Sequence, residues 1–279
     1  MADRPWEAGL RLRNLQSQAS VELRRGNFPA VREANTAILK GKLPALTARQ
    51  ARLALANVAR MLGHYPEANR LTNELLADPD SRSGGFWQQV QTARVSLLAA
   101  EGKTEAAVAV SREIAEAAQK EGRQTNRDDV EARVCGILAV DPAADARAAI
   151  RRCEAVLAGQ TDKSSQSAAE VRLSLAEAYF RARQLPAAEA SHRLAQTSFA
   201  AKQSINNLFY GRLLEAAIYE ATGRVADAGV SRTAATTVFR QMVAAWPLED
   251  QRSYLARPAA ASEALDWAKR LVAVRSKTR

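Results

Sequence analysis

Six turns recur along this chain at intervals of 37 to 42 residues, and this period constrains the fold more than any other feature. Each turn is followed about five residues later by a small residue. The residues that mark the turns are Gly26, Gly63, Gly102, Asp141, Arg183 and Gly223. A fixed period of this size is typical of stacked helical hairpins, because each hairpin buries its apolar face only against its neighbours. The sequence therefore predicts an all-α array of about six helix-turn-helix repeats.

Composition agrees with this fold class. Apolar residues make up 47% of the 279 residues, and they are rich in Ala and Leu but poor in aromatic side chains. This balance favours closely packed helices over strands. The longest uncharged apolar run, Val134 to Val140, is far shorter than the roughly 20 residues of a membrane-spanning helix. The N-terminus has no apolar signal-peptide segment, so the sequence predicts a cytoplasmic protein without a membrane span.

The turns also divide the chain into units. In each unit a first helix runs to the turn and a second helix begins just after it, because glycine accepts the positive φ that often ends a helix. The predicted repeats are 8–42, 45–79, 84–121, 126–159, 165–202 and 204–245, within one elongated domain spanning 1–279. A further amphipathic helix is predicted at 259–274, where Leu265, Ala268, Leu271 and Val272 share one stripe. This amphipathic helix predicts a C-terminal cap over 248–279, which would cover the last apolar face of the array.

Several of these segments resemble the tetratricopeptide-repeat (TPR) family. The loops Gly26-Asn27-Phe28 and Gly63-His64-Tyr65 match the family's sequence of glycine, a polar residue and an aromatic residue, and Leu175-Ala176 to Tyr179 matches its first-helix motif. The resemblance covers roughly residues 8 to 245. It implies a right-handed α-solenoid whose first helices line a concave face that binds partners. The standard period of the family is about 34 residues, whereas the period here resembles the longer, divergent repeats of bacterial regulators and adaptors.

The resemblance, combined with helix register, predicts the residues of that concave face. They are polar or aromatic positions outside the core stripe of the first helices: Arg13, Gln16, Gln50, Asn57, Arg60, Trp87, Gln88, Gln91, Arg94, Glu177, Arg181, Asn207 and Tyr210. Amide side chains can bond an extended peptide backbone, and arginine can hold its acidic side chains. The family's carboxylate clamp needs Lys and Asn at set positions, and Asn57 alone fits. Each residue can equally be an ordinary solvated side chain.

The sequence offers no pattern typical of catalysis. His64 and His192 have no second ligand at a spacing typical of metal sites, and no glycine-rich phosphate loop occurs. Cys135 and Cys153 are predicted to be small apolar core residues, with a redox pair as the alternative. We therefore expect no catalytic residue, no metal and no cofactor, and a non-enzymatic scaffold that binds a protein or peptide.

The charge leaves other functions open. The net charge is +10, and residues 1 to 60 hold eleven basic and four acidic side chains. A nucleic-acid binder would need Arg11, Arg13, Arg24, Arg25, Arg32 and Arg49 on one face, but aromatic residues for base stacking are scarce, so nucleic acid is not expected as the partner. A regulatory or sensor segment of a larger bacterial signalling or transcription protein is a second alternative, and a small-molecule sensor is a third. The sequence does not indicate an oligomeric state.

Overall fold

The structure is a computed structural model that describes residues 5–256 apart from 42, 82, 83, 121 and 123. These residues form helices and no strand. The α-helices, in chain order, are α1 Pro5–Arg24, α2 Phe28–Leu39, α3 Ala45–Leu62, α4 Tyr65–Ala77, α5 Gly84–Ala100, α6 Thr104–Lys120, α7 Gln124–Val140, α8 Ala146–Gly159, α9 Gln166–Arg181, α10 Leu185–Ala201, α11 Ile205–Ala221, α12 Val225–Val243 and α13 Leu248–Leu255. The all-α prediction is confirmed. The helix predicted at 259–274 lies outside the described residues.

The helices pack in sequential order, each against the next from α1 to α12. The odd-numbered helices also contact one another across the hairpins, since α5 packs on α3, α9 on α7 and α11 on α9. The helices α3 and α5 therefore lie side by side, as do α7, α9 and α11.

Most of the turns inside the hairpins adopt the geometry that the sequence predicts. Gly63 ends α3 at φ 85°, and its N–H and that of His64 bond carbonyls of the last turn of α3. Such a φ costs glycine little because glycine has no Cβ. Arg183 takes the same place after α9 at φ 60°, in a region that disfavours side chains.

The turn marked by Asp141 differs from the others. Its carboxylate accepts the backbone N–H of Ala143, and Asp145 caps α8 by accepting the N–H of Arg147. Arg181 of α9 donates to the carbonyl oxygens of Leu138 and Ala144 at 2.9 and 2.6 Å. In this turn, side-chain hydrogen bonds satisfy backbone N–H and C=O groups. In the other hairpins a residue in the left-handed conformation lets the backbone satisfy such groups itself.

The two cysteines are bonded to each other, which corrects the expectation of two free core thiols. Cys135 of α7 and Cys153 of α8 are both fully buried, with Cα atoms 5.1 Å apart, and they form a disulfide. Their helices face each other within one hairpin, so the separation falls inside the range that a disulfide needs. Among the described residues there is no free cysteine.

The first and last hairpins share one hydrophobic core, so the two ends of the array are in contact. Phe28 of α2 and Leu62 of α3 are fully buried in the same cluster as Phe209 of α11 and Tyr254 of α13. The Phe28 and Trp246 rings lie 5.3 Å apart between centroids. Burial of several aromatic rings is worth several kcal/mol, so this contact is part of the fold's stability.

No α-helix in the described ranges combines the length and the apolar character needed to cross a bilayer.

Candidate binding cavity

The helices α3, α5, α7 and α9 line an open cavity of about 1170 Å³, to which α6 adds a single residue. Its lining residues recur at helical spacing, as in Leu53, Asn57 and Arg60 of α3. Residues three and four apart lie on one face of a helix. One face of each of α3, α5, α7 and α9 therefore contributes to a common wall.

Four ionisable side chains belong to the lining: Arg60, Asp129, Arg133 and Glu170. Hydroxyl and amide groups lie between them, including Asn57, Gln88, Gln89, Thr92, Ser96, Gln166, Ser167 and Ser174. The apolar part of the wall comes from small and branched residues such as Ala93 and Ile137. The wall is therefore a mixture of polar and apolar side chains.

Arg60 is the most strongly desolvated cation of the cavity. Its Nε is shut off from solvent, and within the described part of the chain its guanidinium has no hydrogen bond and no ion pair. Burial, and secondly the positive charge of Arg133, lower the pKa of Arg60 to about 10. Arg60 is therefore still a cation at neutral pH, with unused donors and without a counterion.

Arg133 lines the cavity from α7. Carboxylate charges lie near its guanidinium, unlike that of Arg60. Its Nη1 donates to Ser96 Oγ at 2.6 Å. Water reaches Arg133 inside the cavity, but the surrounding protein still lowers its pKa, and the negative charges of Glu170 and Asp129 oppose that shift. Arg133 thus has carboxylate neighbours, whereas the acidic group that acts on Arg60 is the phenol of Tyr65.

Glu177 lies on α9, one helical turn beyond Ser174 of the lining. Burial raises the pKa of Glu177 to about 7, and the positive charge of Arg181 opposes this shift. The carboxyl group has no hydrogen bond within the described residues, so burial of its charge is not offset by a donor. This group titrates near neutral pH.

The structure brings only part of the predicted concave set into the cavity. Asn57, Arg60 and Gln88 line it. The Oε1 of Gln91 is buried away from solvent and is not part of the lining, and Arg94 is exposed on another side of α5. The register prediction fails at these two positions because the inner face of α5 follows residues 85, 88, 92, 96 and 99.

The remaining predicted residues also lie outside the lining. Arg13, Gln16 and Gln50 are exposed and Trp87 is partly buried.

In the second half of the chain, the guanidinium of Arg181 donates to backbone carbonyl oxygens. Asn207 Nδ2 donates to Glu170 Oε1 at 3.3 Å. Tyr210 packs against the aromatic cluster, 6.5 Å from Tyr254 between ring centroids. Among the residues predicted in this half, Asn207 is therefore tied to the lining through a hydrogen bond.

The contribution of α7 to the cavity was not among the predictions from the sequence. Asp129, Arg133 and Gly136 follow one another at spacings of four and three, which places them on one face, and all three line the cavity. This stripe was visible in the sequence.

The basic residues of the N-terminal third do not form one free patch. Arg32 pairs with Asp250, Arg49 pairs with Asp80 at 2.8 Å, and Arg25 pairs with Glu22 at 3.1 Å. Half of the arginines that a nucleic-acid interface would need are therefore held by carboxylates of the same chain.

The histidines have structural partners. His64 Nε2 lies 2.7 Å from Asp250 Oδ1, and His192 Nε2 lies 2.8 Å from the carbonyl oxygen of Gly211. Burial lowers the pKa of His192, which keeps its ring neutral at pH 7. No group of three His, Cys, Asp or Glu residues in the described ranges is placed to hold a metal ion.

Comparison with known proteins gives a likeness of fold. No family model matches the chain, and no curated protein matches it. Among solved structures, it is similar to BtubC (BKLC) from P. vanneervenii, with a TM-score of 0.50 and 14% sequence identity, over 84% of this chain and 94% of BtubC. At this identity the likeness concerns the helical fold alone.

Proposed function

We propose that this protein is a non-enzymatic interaction module that binds a polypeptide segment in its central cavity. In this proposal the chain is a right-handed α-solenoid of six TPR-like repeats, with the first helix of each repeat turned inward. The helical pairs and the contacts between odd-numbered helices support it. The loop motifs at Gly26 and Gly63 support the family assignment.

One observation carries the functional part: an unpaired, desolvated arginine lines a large cavity on the inner face of the first helices. The Nε of Arg60 is a buried donor without a hydrogen-bond partner, which costs folding free energy, so its retention favours a role in binding. Arg60 is the residue concerned.

The wall around Arg60 fits a polypeptide chain. Asn57 can both donate to and accept from a peptide backbone, and Thr92 and Gln89 add further polar groups along α5. Small residues such as Ala93, Ala99 and Ala100 leave room between them. Polar groups with room between them can bond the main chain of an extended peptide.

The disulfide is evidence about the cellular compartment in which the protein would bind such a partner. Disulfides persist mainly in oxidising compartments and are rare in the cytoplasm of mesophiles. The buried bond between Cys135 and Cys153 therefore favours an oxidising compartment over the cytoplasmic location that the sequence predicts.

Site-specific photo-cross-linking tests the proposal. p-Benzoylphenylalanine replaces Gln89, which lines the cavity, or Arg112, an exposed residue of α6 that does not. Each variant is irradiated in an extract of the source organism, and cross-linked polypeptides are identified by mass spectrometry. We expect a defined polypeptide cross-linked from position 89 and absent from position 112. The proposal is wrong if both positions give the same set, or if position 89 gives none.

A pair of matched variants adds a second test. Asn57→Ala combined with Arg60→Ala alters the cavity, whereas Asn73→Ala combined with Arg94→Ala alters an exposed amide and an exposed arginine elsewhere. The first pair should remove the cross-link from position 89 and the second should preserve it. Circular dichroism checks that both variants are folded.

A further inference from the structure

We infer that Arg60 and Arg133 form an anion subsite within the cavity, which takes the carboxylate of an acidic side chain carried by the bound polypeptide. This inference rests on the proposed function and names the ligand chemistry at one place in the cavity. The two arginines come from α3 and α7, so they belong to hairpins that are not consecutive.

Arg60 supplies the unsatisfied donors. Its guanidinium has five N–H groups, yet no hydrogen bond or ion pair to it exists within the described residues, and its Nε is closed to solvent. Arg133 is near enough for its positive charge to act on Arg60. Two cations that line one cavity and share no carboxylate favour an anion between them.

The neighbouring carboxylates do not fill this role. Asp129 and Glu170 act on Arg133, and Glu170 also accepts hydrogen bonds from Gln166 and Asn207. Neither carboxylate has a resolved electrostatic effect on Arg60. The positive charge left without compensation therefore lies on the α3 side of the cavity.

A carboxylate fits this arrangement because a guanidinium binds its two oxygens through parallel hydrogen bonds. Asn57, one turn before Arg60, offers an amide to the main chain beside such a side chain. The carboxylate can belong to a polypeptide or to a small free acid. We assign it to a polypeptide because the cavity has about 1170 Å³ and a polar wall that extends over four helices, far beyond one small acid.

Fluorescence anisotropy with three probes tests the assignment. The first two probes are fluorescein-labelled hexaglutamate and hexaglutamine peptides, and the third is unlabelled glutarate, added as a competitor. The protein is the full chain, as wild type, as Arg60→Gln and as Arg94→Gln. Arg94 is the matched control because it is an exposed arginine outside the lining, so its loss changes net charge equally.

We expect wild type to bind hexaglutamate about tenfold more tightly than hexaglutamine, which is the effect of one charge-assisted hydrogen-bonded pair. Arg60→Gln should abolish this preference and Arg94→Gln should retain it. Glutarate should compete only at concentrations far above those of the peptide.

Three results would overturn the inference. The first is equal affinity for the two peptides, or binding of neither. The second is a preference that Arg60→Gln and Arg94→Gln reduce equally, which indicates non-specific attraction to a basic protein. The third is competition by glutarate as strong as that by hexaglutamate, which assigns the subsite to a small acid. None of these results removes the cross-link from position 89, so failure of the subsite and failure of the proposed function are distinguished.

Discussion

Asp250, in the last described helix, accepts two hydrogen bonds from the guanidinium of Arg32, a residue 218 positions earlier, at 3.2 and 2.8 Å. The Asp250 side chain is 3% exposed, and its Oδ1 also lies 2.7 Å from His64 Nε2. One buried carboxylate thus joins α2, the turn before α4, and α13. This contact holds the two ends of the array together beside the aromatic core of Phe28 and Trp246.

The disulfide should contribute measurably to stability. Closing a loop of 18 residues between Cys135 and Cys153 lowers the entropy of the unfolded chain, an effect worth about 3 kcal/mol. We expect Cys135→Ala combined with Cys153→Ala to lower the free energy of unfolding by about 2–3 kcal/mol in urea titrations. Wild type titrated in dithiothreitol is the control and should match the variant. Equal stability of oxidised wild type and the double variant would show that the bond contributes nothing.

Glu177 should make stability depend on pH. The pKa of its carboxyl is about 7 in the folded chain and near 4.5 when unfolded, so the folded state binds the extra proton between these values. Its contribution to stability is present below about pH 4.5 and is lost as pH rises through 7. We expect Glu177→Gln to match wild type at pH 4.5 and to exceed its free energy of unfolding by on the order of 2 kcal/mol at pH 8.

Glu113→Gln serves as the control for that titration, because Glu113 is exposed on α6 and has no resolved pKa shift. It should follow wild type at both pH values. The interpretation of Glu177 fails if Glu177→Gln and Glu113→Gln give the same pH dependence.

Arg183 should be replaceable by glycine with a gain in stability. It is exposed, holds φ 60°, and occupies the position that Gly63 and Gly223 fill in other hairpins. A side chain in this region costs about 1 kcal/mol. We expect Arg183→Gly to raise the melting temperature by a few degrees and Gly223→Ala to lower it by a similar amount. A lower melting temperature for Arg183→Gly would show that the arginine side chain outweighs the backbone cost.

Much of the fold could be predicted from the sequence because its determinants are local. Turns such as Gly63 and Gly223, and the apolar periodicity between them, indicate helix pairs without knowledge of distant contacts. The contact between the two ends could not be predicted in this way. Asp250 and Arg32 are ordinary charged residues in the sequence, and nothing local indicates that they meet.

The lining of the cavity could likewise be predicted only in part from the sequence. Asn57 and Arg60 could be placed on the inner face because α3 has a clear register between its turn signals. Arg94 was misplaced because small rotations of α5 move a residue from the inner face to the outer one, and packing sets that rotation. The pairing of Cys135 with Cys153 depends on the same tertiary information.

A double-mutant cycle between Arg32 and Asp250 tests the central claim about the fold, that the first and last hairpins meet. Free energies of unfolding are measured for wild type, Arg32→Ala, Asp250→Ala and the double variant. If the ends meet, we expect a coupling free energy of about 1–2 kcal/mol, as for a hydrogen-bonded pair in direct contact. Additive effects, with a coupling of about zero, would contradict the contact between the ends.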